Sequence, residues 1–263
     1  MSDPDPILLD VQSGVAQVRF NRPKVLNALD EPTILAFRRA VETIAGDAAV
    51  RVVVLSGEGR GFLAGGDVGR FHAAGANAPQ VVEALIGPFH EALRMLTSLR
   101  QPVLASVHGP VAGAGLSIAL AADLAIAADD ARFTLAYSRI GTSPDGGASW
   151  SLPRTVGLRK ALELALLSDV IDATEALRLG LVNKVVPAAQ RVAETEALAR
   201  RLAEGATFAF GQIKALMRGS FETSLPDQLL AEQQAFQACA ATQDFAEGAS
   251  AFVEKRPALF AGG

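Results

Sequence analysis

Cysteine and long apolar runs are scarce in this sequence. Its 263 residues include one cysteine, Cys239, which excludes an intramolecular disulfide and favours a reducing compartment. No apolar run reaches the length of a membrane-spanning helix, and the acidic N-terminus carries no signal-peptide pattern. These absences predict a cytoplasmic protein that has no membrane partner.

Basic clusters and metal-binding patterns are missing as well. The formal net charge is −4 and the basic residues are dispersed, so nucleic acid is not an expected partner. The three histidines, His72, His90 and His108, stand far apart and lack the spacing of metal ligands. We therefore expect no metal site.

Apolar residues are plentiful and make up 50% of the chain, which is enough for the core of one large domain. Short apolar runs alternate with amphipathic stretches, and the pattern becomes almost wholly helical after residue 188. This alternation predicts an α/β fold with a helical C-terminal third. Residue Asp30 is expected to cap a helix. Residues 69–80, which are rich in small side chains, are expected to form a mobile loop.

A glycine-rich turn follows one of the predicted buried strands, Val103–Val107. The turn, at residues 108–115, has almost no side chains and leads into a short apolar helix. Such a bare backbone at a helix N-terminus exposes N–H groups that favour a resident or developing negative charge. A tight turn packed against a neighbouring element is the alternative.

A second turn of the same kind follows the predicted strand at residues 52–55. Its sequence, SGEGRGFLAGGD, occupies residues 56–67. Two such turns could bring two backbone N–H groups to one oxygen, which is the arrangement of an oxyanion hole. Strand order cannot be read from the sequence, so the convergence stays a hypothesis at this point.

Four motifs in order give the chain a resemblance to the crotonase, or enoyl-CoA hydratase/isomerase, superfamily. They are NRP with LNAL at residues 21–29, GFLAGGD at 61–67, VHG with GAG at 107–115, and AFVEKR at 251–256. The resemblance implies a spiral of ββα units over residues 1–200 that carries an acyl-CoA site. It implies a helical region over residues 201–263 for assembly into a homotrimer or a hexamer, and no cofactor beyond the coenzyme A of the substrate.

The resemblance also implies roles for individual residues. The backbone N–H groups of Gly66 and Ala114 match the two oxyanion-hole donors. Contact with the substrate or its coenzyme A is implied for a larger set: Lys24, Val25, Leu26, Ala64, Gly65, Asp67, Phe252 and Lys255. In some members the last two come from a neighbouring subunit. Lys24, Lys255 and the nearby Arg22 could equally be solvated surface charges.

The chain departs from the family where hydratases carry two glutamates that activate water. Those positions match Ser117 and Tyr137, and neither side chain is a strong base near neutral pH. Tyr137 is expected to line the acyl pocket, with core packing as the alternative. The remaining acid is Asp145, at a position where isomerase branches carry their acid/base aspartate; a helix N-cap is its alternative role.

A single carboxylate suits double-bond migration, because it can remove a proton from one carbon and return it to another. The sequence SPDG at residues 143–146, with LPR at 152–154, resembles the phenylacetate-pathway ring-epoxide isomerase branch. We therefore expect an enoyl-CoA isomerase. A hydratase with altered water-holding groups, a hydrolase or dehalogenase in which Asp145 attacks, and a CoA-ligand-binding protein without turnover are the alternatives.

Overall fold

The computed structural model describes residues 5–263. The chain begins with a hairpin of two antiparallel strands, β1 (Ile7–Gln12) and β2 (Val15–Phe20). A connection containing a short 3₁₀ turn leads to helix α1 (Glu31–Gly46). As expected, the Asp30 carboxylate caps α1 by accepting the Thr33 N–H at 3.0 Å.

The first ββα unit is followed by strand β3 (Val52–Gly57), which pairs in parallel with β2. Two helices come next, α2 (Val68–Ala74) and α3 (Ala78–Ser98). The prediction of a loop over residues 69–80 was therefore wrong, because the stretch is helical apart from one 3₁₀ turn. Its small residues are mainly alanines, which have the highest helix propensity, and a partly buried Phe71 packs this stretch on the core.

The glycine-rich turn at residues 108–115 connects a strand to a helix. Strand β4 (Val103–Val107) leads through a short strand β5 (Pro110–Ala112) into helix α4 (Ala114–Ala121). Strands β6 (Leu124–Ala128) and β7 (Arg132–Thr134) follow. The turn predicted from its lack of side chains thus contains one short strand of its own.

Helices dominate the chain after a 3₁₀ turn at Tyr137–Ile140. The elements in order are α5 (Ala148–Val156), α6 (Leu158–Leu167), β8 (Ile171–Asp172), α7 (Ala173–Arg178), β9 (Lys184–Val186) and α8 (Arg191–Ala203). Three further helices complete the chain: α9 (Thr207–Gly219), α10 (Leu225–Ala240) and α11 (Gln243–Glu254). The boundary expected near residue 200 falls within α8, and the division into two regions stays a prediction.

The strands form two sheets. The larger has the order β1-β2-β3-β4-β6-β9 and is parallel from β2 onward, and the smaller has the order β5-β7-β8. Buried side chains of α1 and α3 join one large core cluster with the sheet, and α8 covers a second, smaller cluster. The carboxyl ends of parallel strands meet at one edge of a sheet, so the turns after β3 and β4 become neighbours. None of the helices in residues 5–263 is long and apolar enough to cross a membrane.

One carboxylate ties the C-terminal helices to this sheet. Asp123 accepts the N–H of Val103 at 2.8 Å and forms ion pairs with Lys214 at 2.7 Å and Arg218 at 2.8 Å, both on α9. Burial lowers the pKa of Lys214, and the opposing charge of Asp123 counteracts that shift. The ammonium group therefore depends on Asp123 to stay charged beneath α9.

We predict that Asp123→Asn lowers the free energy of unfolding by about 2–3 kcal/mol, because Lys214 then loses the charge that compensates for its burial. Chemical denaturation followed by circular dichroism measures the change. Asp169→Asn is the matched control, since Asp169 is exposed and forms no ion pair within residues 5–263. Equal losses in the two variants would contradict the anchoring role of Asp123.

Candidate active site

Two glycine-rich turns are in direct backbone contact at the carboxyl edge of the large sheet. Leu63 pairs with Val111 through an isolated parallel bridge. A Cβ atom placed on Gly115 would lie 2.2 Å from the Leu63 carbonyl oxygen, and one on Gly113 would lie 3.5 Å from the Gly65 Cα. No side chain fits between the two turns at Gly115, so a glycine is required there for the backbones to meet.

Two backbone N–H groups in these turns, those of Gly66 and Ala114, have no acceptor within residues 5–263. The Leu29 N–H donates to the Gly65 carbonyl at 2.8 Å, and the Asp67 N–H donates to the Leu29 carbonyl at 2.9 Å. Leu29 thus bonds to the residues on either side of Gly66 and not to the Gly66 N–H. Ala114 is the first residue of α4, where an N–H has no intrahelical acceptor. Within residues 5–263 neither the Gly66 nor the Ala114 N–H donates a hydrogen bond. Both remain available to an oxygen atom of a ligand.

A buried asparagine, to which sequence analysis assigned no role, holds the glycine-rich turn at residues 56–67 in place. The Asn27 amide donates to the carbonyls of Glu58, Gly61 and Phe62 at 2.9, 2.9 and 3.1 Å, and its Oδ1 accepts the Arg22 N–H at 2.8 Å. Its backbone has a φ of 59°, which asparagine tolerates better than most residues. Asn27 lies within the LNAL motif, so the signal was present but its structural purpose could not be read.

The segment expected to contact coenzyme A lies beside this turn. Lys24 and Val25 are exposed, and the Leu26 carbonyl accepts the Ala64 N–H at 3.0 Å. The nearby Arg22 is engaged in an ion pair with Asp30 at 3.0 Å. Unlike Arg22, Lys24 forms no ion pair within residues 5–263.

Asp67 is the last residue of the glycine-rich turn at residues 56–67. Its carboxylate lies 4.0 Å from the Arg22 guanidinium. Arg22 thus links the carboxylates of Asp30 and Asp67.

The three polar residues singled out by comparison with the family form one hydrogen-bonded cluster. The Tyr137 hydroxyl donates to Oδ1 of Asp145. The Ser117 hydroxyl donates to the backbone carbonyl of Asp145 at 3.0 Å and lies 3.1 Å from the Tyr137 hydroxyl. Ser117 is on α4, three residues after Ala114, so the helix that supplies one unpaired N–H also positions the cluster.

The alternative role of Asp145 as a helix cap is wrong. The residue at the N-cap of α5 is Gly147, and no side chain caps that helix. Asp145 contributes its carbonyl to the Ala148 N–H at 3.1 Å, and its carboxylate is hydrogen-bonded to Tyr137 instead. Oδ2 of the carboxylate accepts no hydrogen bond from residues 5–263.

Tyr137 is buried, and its environment favours the protonated phenol. Burial and the negative charge of Asp145 together raise the pKa of Tyr137 well above its ordinary value near 10. The phenol therefore remains a hydrogen-bond donor to Asp145 over the whole neutral range.

One member of the hydrogen-bonded cluster, Asp145, lines a cavity of about 780 Å³. Asp145 lies at its wall, with His90 and Arg94 from α3, Trp150 from α5 and Arg218 from α9. A second groove, of about 560 Å³, lies between the first three strands and α8 and includes none of the predicted site residues. Of the predicted site residues, Asp145 lines the larger cavity, whereas Gly66, Ala114 and Tyr137 do not, and the second groove lies outside the candidate site.

Two predicted residues are not brought to this site within one chain. Phe252, near the end of α11, is 87% exposed. Lys255 follows α11 and forms no ion pair within residues 5–263. The tail after α11 docks instead on Arg51, which donates to the Ala261 carbonyl at 2.7 Å and precedes β3 at the opposite edge of the sheet. In the same described range, no three His, Cys, Asp or Glu side chains converge to hold a metal ion.

Two backbone N–H groups that donate to no acceptor within residues 5–263 can hold a carbonyl oxygen, and a carboxylate such as that of Asp145 can move a proton. The family model named Enoyl-CoA hydratase/isomerase matches residues 10–263. The chain therefore belongs to the enoyl-CoA hydratase/isomerase family, and its crotonase fold, with ββα units and a helical C-terminal region, confirms the fold expected from the sequence.

Some relatives of the chain are named as hydratases and others as isomerases. A protein named "Probable enoyl-CoA hydratase" from Rhodobacter capsulatus is 39% identical over 97% of this chain and 98% of its own length. A 1,2-epoxyphenylacetyl-CoA isomerase from Escherichia coli is 34% identical over 97% of this chain and 98% of its own. The crystal structure of an enoyl-CoA hydratase from Polaromonas matches with a TM-score of 0.92 and 34% identity, covering 97% and 99% of the two chains.

We predict that Ala114→Pro lowers kcat about 10²- to 10³-fold on an enoyl-CoA substrate. Proline is tolerated in the first turn of a helix but has no N–H, so one donor to the thioester oxygen is lost. Gln243→Pro is the control, because Gln243 is the exposed first residue of α11. Steady-state kinetics and thermal unfolding are measured on both; full activity in Ala114→Pro would exclude this N–H as a donor.

We further predict that Tyr137 does not ionise near pH 10 in the folded protein. Tyr137 is the only tyrosine, so the ultraviolet phenolate signal reports on it alone, with Tyr137→Phe as the blank. Because the folded pKa is raised above the unfolded value, stability is retained below about pH 10 and falls as the pH rises above it. Phenolate absorbance that appears at pH 10 before unfolding would contradict the buried hydrogen bond.

Proposed function

We propose that this family member is an enoyl-CoA isomerase in which Asp145 moves a proton along the acyl chain. The observation that carries the proposal is the cluster of Ser117, Tyr137 and Asp145. The resemblance places the two glutamates of a hydratase at Ser117 and Tyr137, and neither residue is a carboxylate. Both side chains instead hydrogen-bond to Asp145, which leaves the cluster with one base.

The first step removes a proton from the substrate. The thioester oxygen of a 3-enoyl-CoA accepts hydrogen bonds from the N–H groups of Gly66 and Ala114. Oδ2 of Asp145 takes a proton from C2, and the electrons of the C–H bond pass into a dienolate whose negative charge rests on the thioester oxygen. Removal of one such donor costs about 3–4 kcal/mol of barrier in other enzymes, which sets the scale of its contribution.

The second step returns the same proton. Asp145 protonates the dienolate at C4, the C2–C3 double bond forms, and the thioester carbonyl is restored. No water and no cofactor is consumed, and Asp145 ends in its starting state. A carboxylate that touches neither a second acid nor a metal is sufficient for this exchange.

Tyr137 and Ser117 act on Asp145 rather than on the substrate in this proposal. The phenol occupies Oδ1, so the proton is exchanged through Oδ2. Ser117 fixes the backbone carbonyl of the same residue. The Tyr137 ring is buried beside Asp145 and does not line the cavity, so its contact with the acyl group stays a prediction.

Coenzyme A is proposed to lie along the segment that contains Lys24, Val25 and Leu26, with the thioester beside Ala64, Gly65 and Asp67. Phe252 and Lys255 reach a site only across an interface, which favours their contribution to a neighbouring subunit. The apolar surface of the C-terminal helices supports a homotrimer or a dimer of trimers; its exposed members are Ile213, Met217, Phe221, Leu225, Leu229, Leu230 and Phe236.

Hydration of an enoyl-CoA is the second candidate. The observation in its favour is that relatives of 39% and 35% identity are named "Probable enoyl-CoA hydratase" and "Crotonyl-CoA hydratase". Against it stands the single carboxylate of the cluster, because addition of water needs one group to activate the water and another to protonate the α-carbon. The ring-epoxide isomerase branch of phenylacetate degradation is the proposed place of the chain within the family.

We predict that Asp145→Asn lowers isomerase turnover at least 10³-fold, because the amide cannot accept the substrate proton. Purified protein is incubated separately with 3-enoyl-CoA and 2-enoyl-CoA, and conjugation is followed by absorbance and the products by mass. The wild type interconverts the two isomers with no change of mass, and the variant does not.

The control for this variant is Asp169→Asn, which removes an exposed carboxylate outside the cavity. It should retain wild-type turnover. A product heavier by one water, formed equally by wild type and Asp145→Asn, would overturn the isomerase proposal and identify a hydratase whose catalytic groups lie elsewhere.

A further inference from the structure

One peptide group in the candidate site is held by both of its polar atoms. It joins Asp145 to Gly146. Its carbonyl accepts the Ser117 hydroxyl at 3.0 Å, and its N–H donates to Nε2 of His90 at 3.1 Å. Ser117 lies on α4 and His90 on α3, so two separate helices fix the plane of this peptide.

The anchoring of this peptide helps to hold the Asp145 backbone in place. If the peptide were released, the loop that carries the Asp145 Cα could shift, and the carboxylate would shift with it. Ser117 holds the carbonyl end of the peptide, and His90 holds its N–H end. Neither contact alone fixes both ends. Loss of the His90 acceptor leaves the N–H of Gly146 without a partner within residues 5–263.

The Asp145 carbonyl also accepts the Ala148 N–H at 3.1 Å, whereas the Gly146 N–H has no acceptor other than His90 within residues 5–263. Gly146 has a φ of 59°, and a Cβ atom placed on it would lie 2.7 Å from the Phe89 ring and 2.8 Å from Cβ of Ser117. The residue is therefore a glycine pressed against α3 and α4 and has no side chain with which to anchor itself. The imidazole next to Phe89 supplies the anchor.

The hydrogen bond also defines the form of His90. Nε2 receives an N–H donor, so it carries a lone pair and the ring proton lies on Nδ1. The imidazole is a neutral acceptor at this site. Its edge faces the same cavity as Asp145, on the wall formed by α3.

We infer that His90 is a positioning residue, whose neutral imidazole holds the Asp145–Gly146 peptide and thereby aims the Asp145 carboxylate into the cavity. This inference rests on the proposed function of Asp145 as the proton carrier. His90 touches neither the reacting atoms nor the N–H groups of Gly66 and Ala114. Its effect is therefore expected on turnover rather than on the binding of coenzyme A.

The test compares two substitutions that differ in one property. His90→Gln retains an acceptor, because the glutamine Oε1 reaches a place similar to that of Nε2. His90→Leu is of similar size and accepts no hydrogen bond. His72→Leu is the control, because His72 is an exposed histidine on α2 that lies outside the cavity.

Two readouts are measured on each variant. In the first, kcat and KM are determined with a 3-enoyl-CoA; misplacement of a reacting group by about 1 Å can cost about 100-fold in rate. We expect His90→Leu to lower kcat 10- to 100-fold with less than a threefold change in KM, and His90→Gln to restore kcat to within about fivefold of wild type. The control should match wild type.

The second readout is independent of catalysis. Hydrogen exchange of the Gly146 amide, followed by NMR or mass spectrometry, should be at least tenfold faster in His90→Leu and unchanged in His90→Gln. Equal kcat in the leucine and wild-type proteins, or equal loss in the leucine and glutamine variants, would overturn the positioning role. A wild type without isomerase activity would refute the proposed function, and the amide exchange would then still decide whether His90 holds the loop.

Discussion

The close approach of two backbones at the carboxyl edge of the large sheet is the constraint on which the rest of the site depends. A Cβ atom at Gly115 would lie 2.2 Å from the Leu63 carbonyl oxygen, so even one methyl group would separate the turns. Within residues 5–263 the N–H groups of Gly66 and Ala114 in these turns donate to no acceptor. Preorganised donors of this kind stabilise a developing negative charge without reorganisation of solvent, and any chemistry proposed for the chain begins from them.

The remaining polar groups converge on a single carboxylate. Ser117, Tyr137 and His90 come from three parts of the chain, and all of them hold Asp145 or the peptide that follows it. The raised pKa of Tyr137 keeps its hydroxyl a donor, so one carboxylate oxygen is occupied and the other is free. A site built around one base favours transfer of a proton between two carbons over addition of water, and this is the physical basis of the isomerase proposal.

Helix α9 of the C-terminal region contacts both the sheet and the cavity that Asp145 lines. Asp123 joins α9 to the sheet through Lys214 and Arg218, and Arg218 also lines the cavity beyond Asp145. Phe252 stands in solvent and the Lys255 ammonium meets no partner in the described chain. Their proposed contact with coenzyme A therefore needs a second subunit, and the same helices that close one cavity would complete another.

Local patterns in the sequence were enough to predict several of the elements. The Asp30 cap and the two glycine-rich turns follow from capping and turn chemistry, which act over a few residues, whereas the roles of Gly66 and Ala114 were implied by the resemblance to the family and stay predictions. The four motifs also predicted the family, which the comparisons confirm. Alanines at residues 69–80 were mistaken for a loop, because their helix is stabilised by packing of Phe71 that no local pattern reveals.

Only the tertiary structure decided which groups meet. Ser117 and Asp145 are 28 residues apart, and His90 and Gly146 are 56 apart, so no spacing in the sequence brings them together. The helix-cap role of Asp145 could be rejected only once its carboxylate was seen beside Tyr137. Hydrogen bonds between distant segments depend on how helices pack on the sheet, and that packing is a property of the whole core rather than of any one stretch.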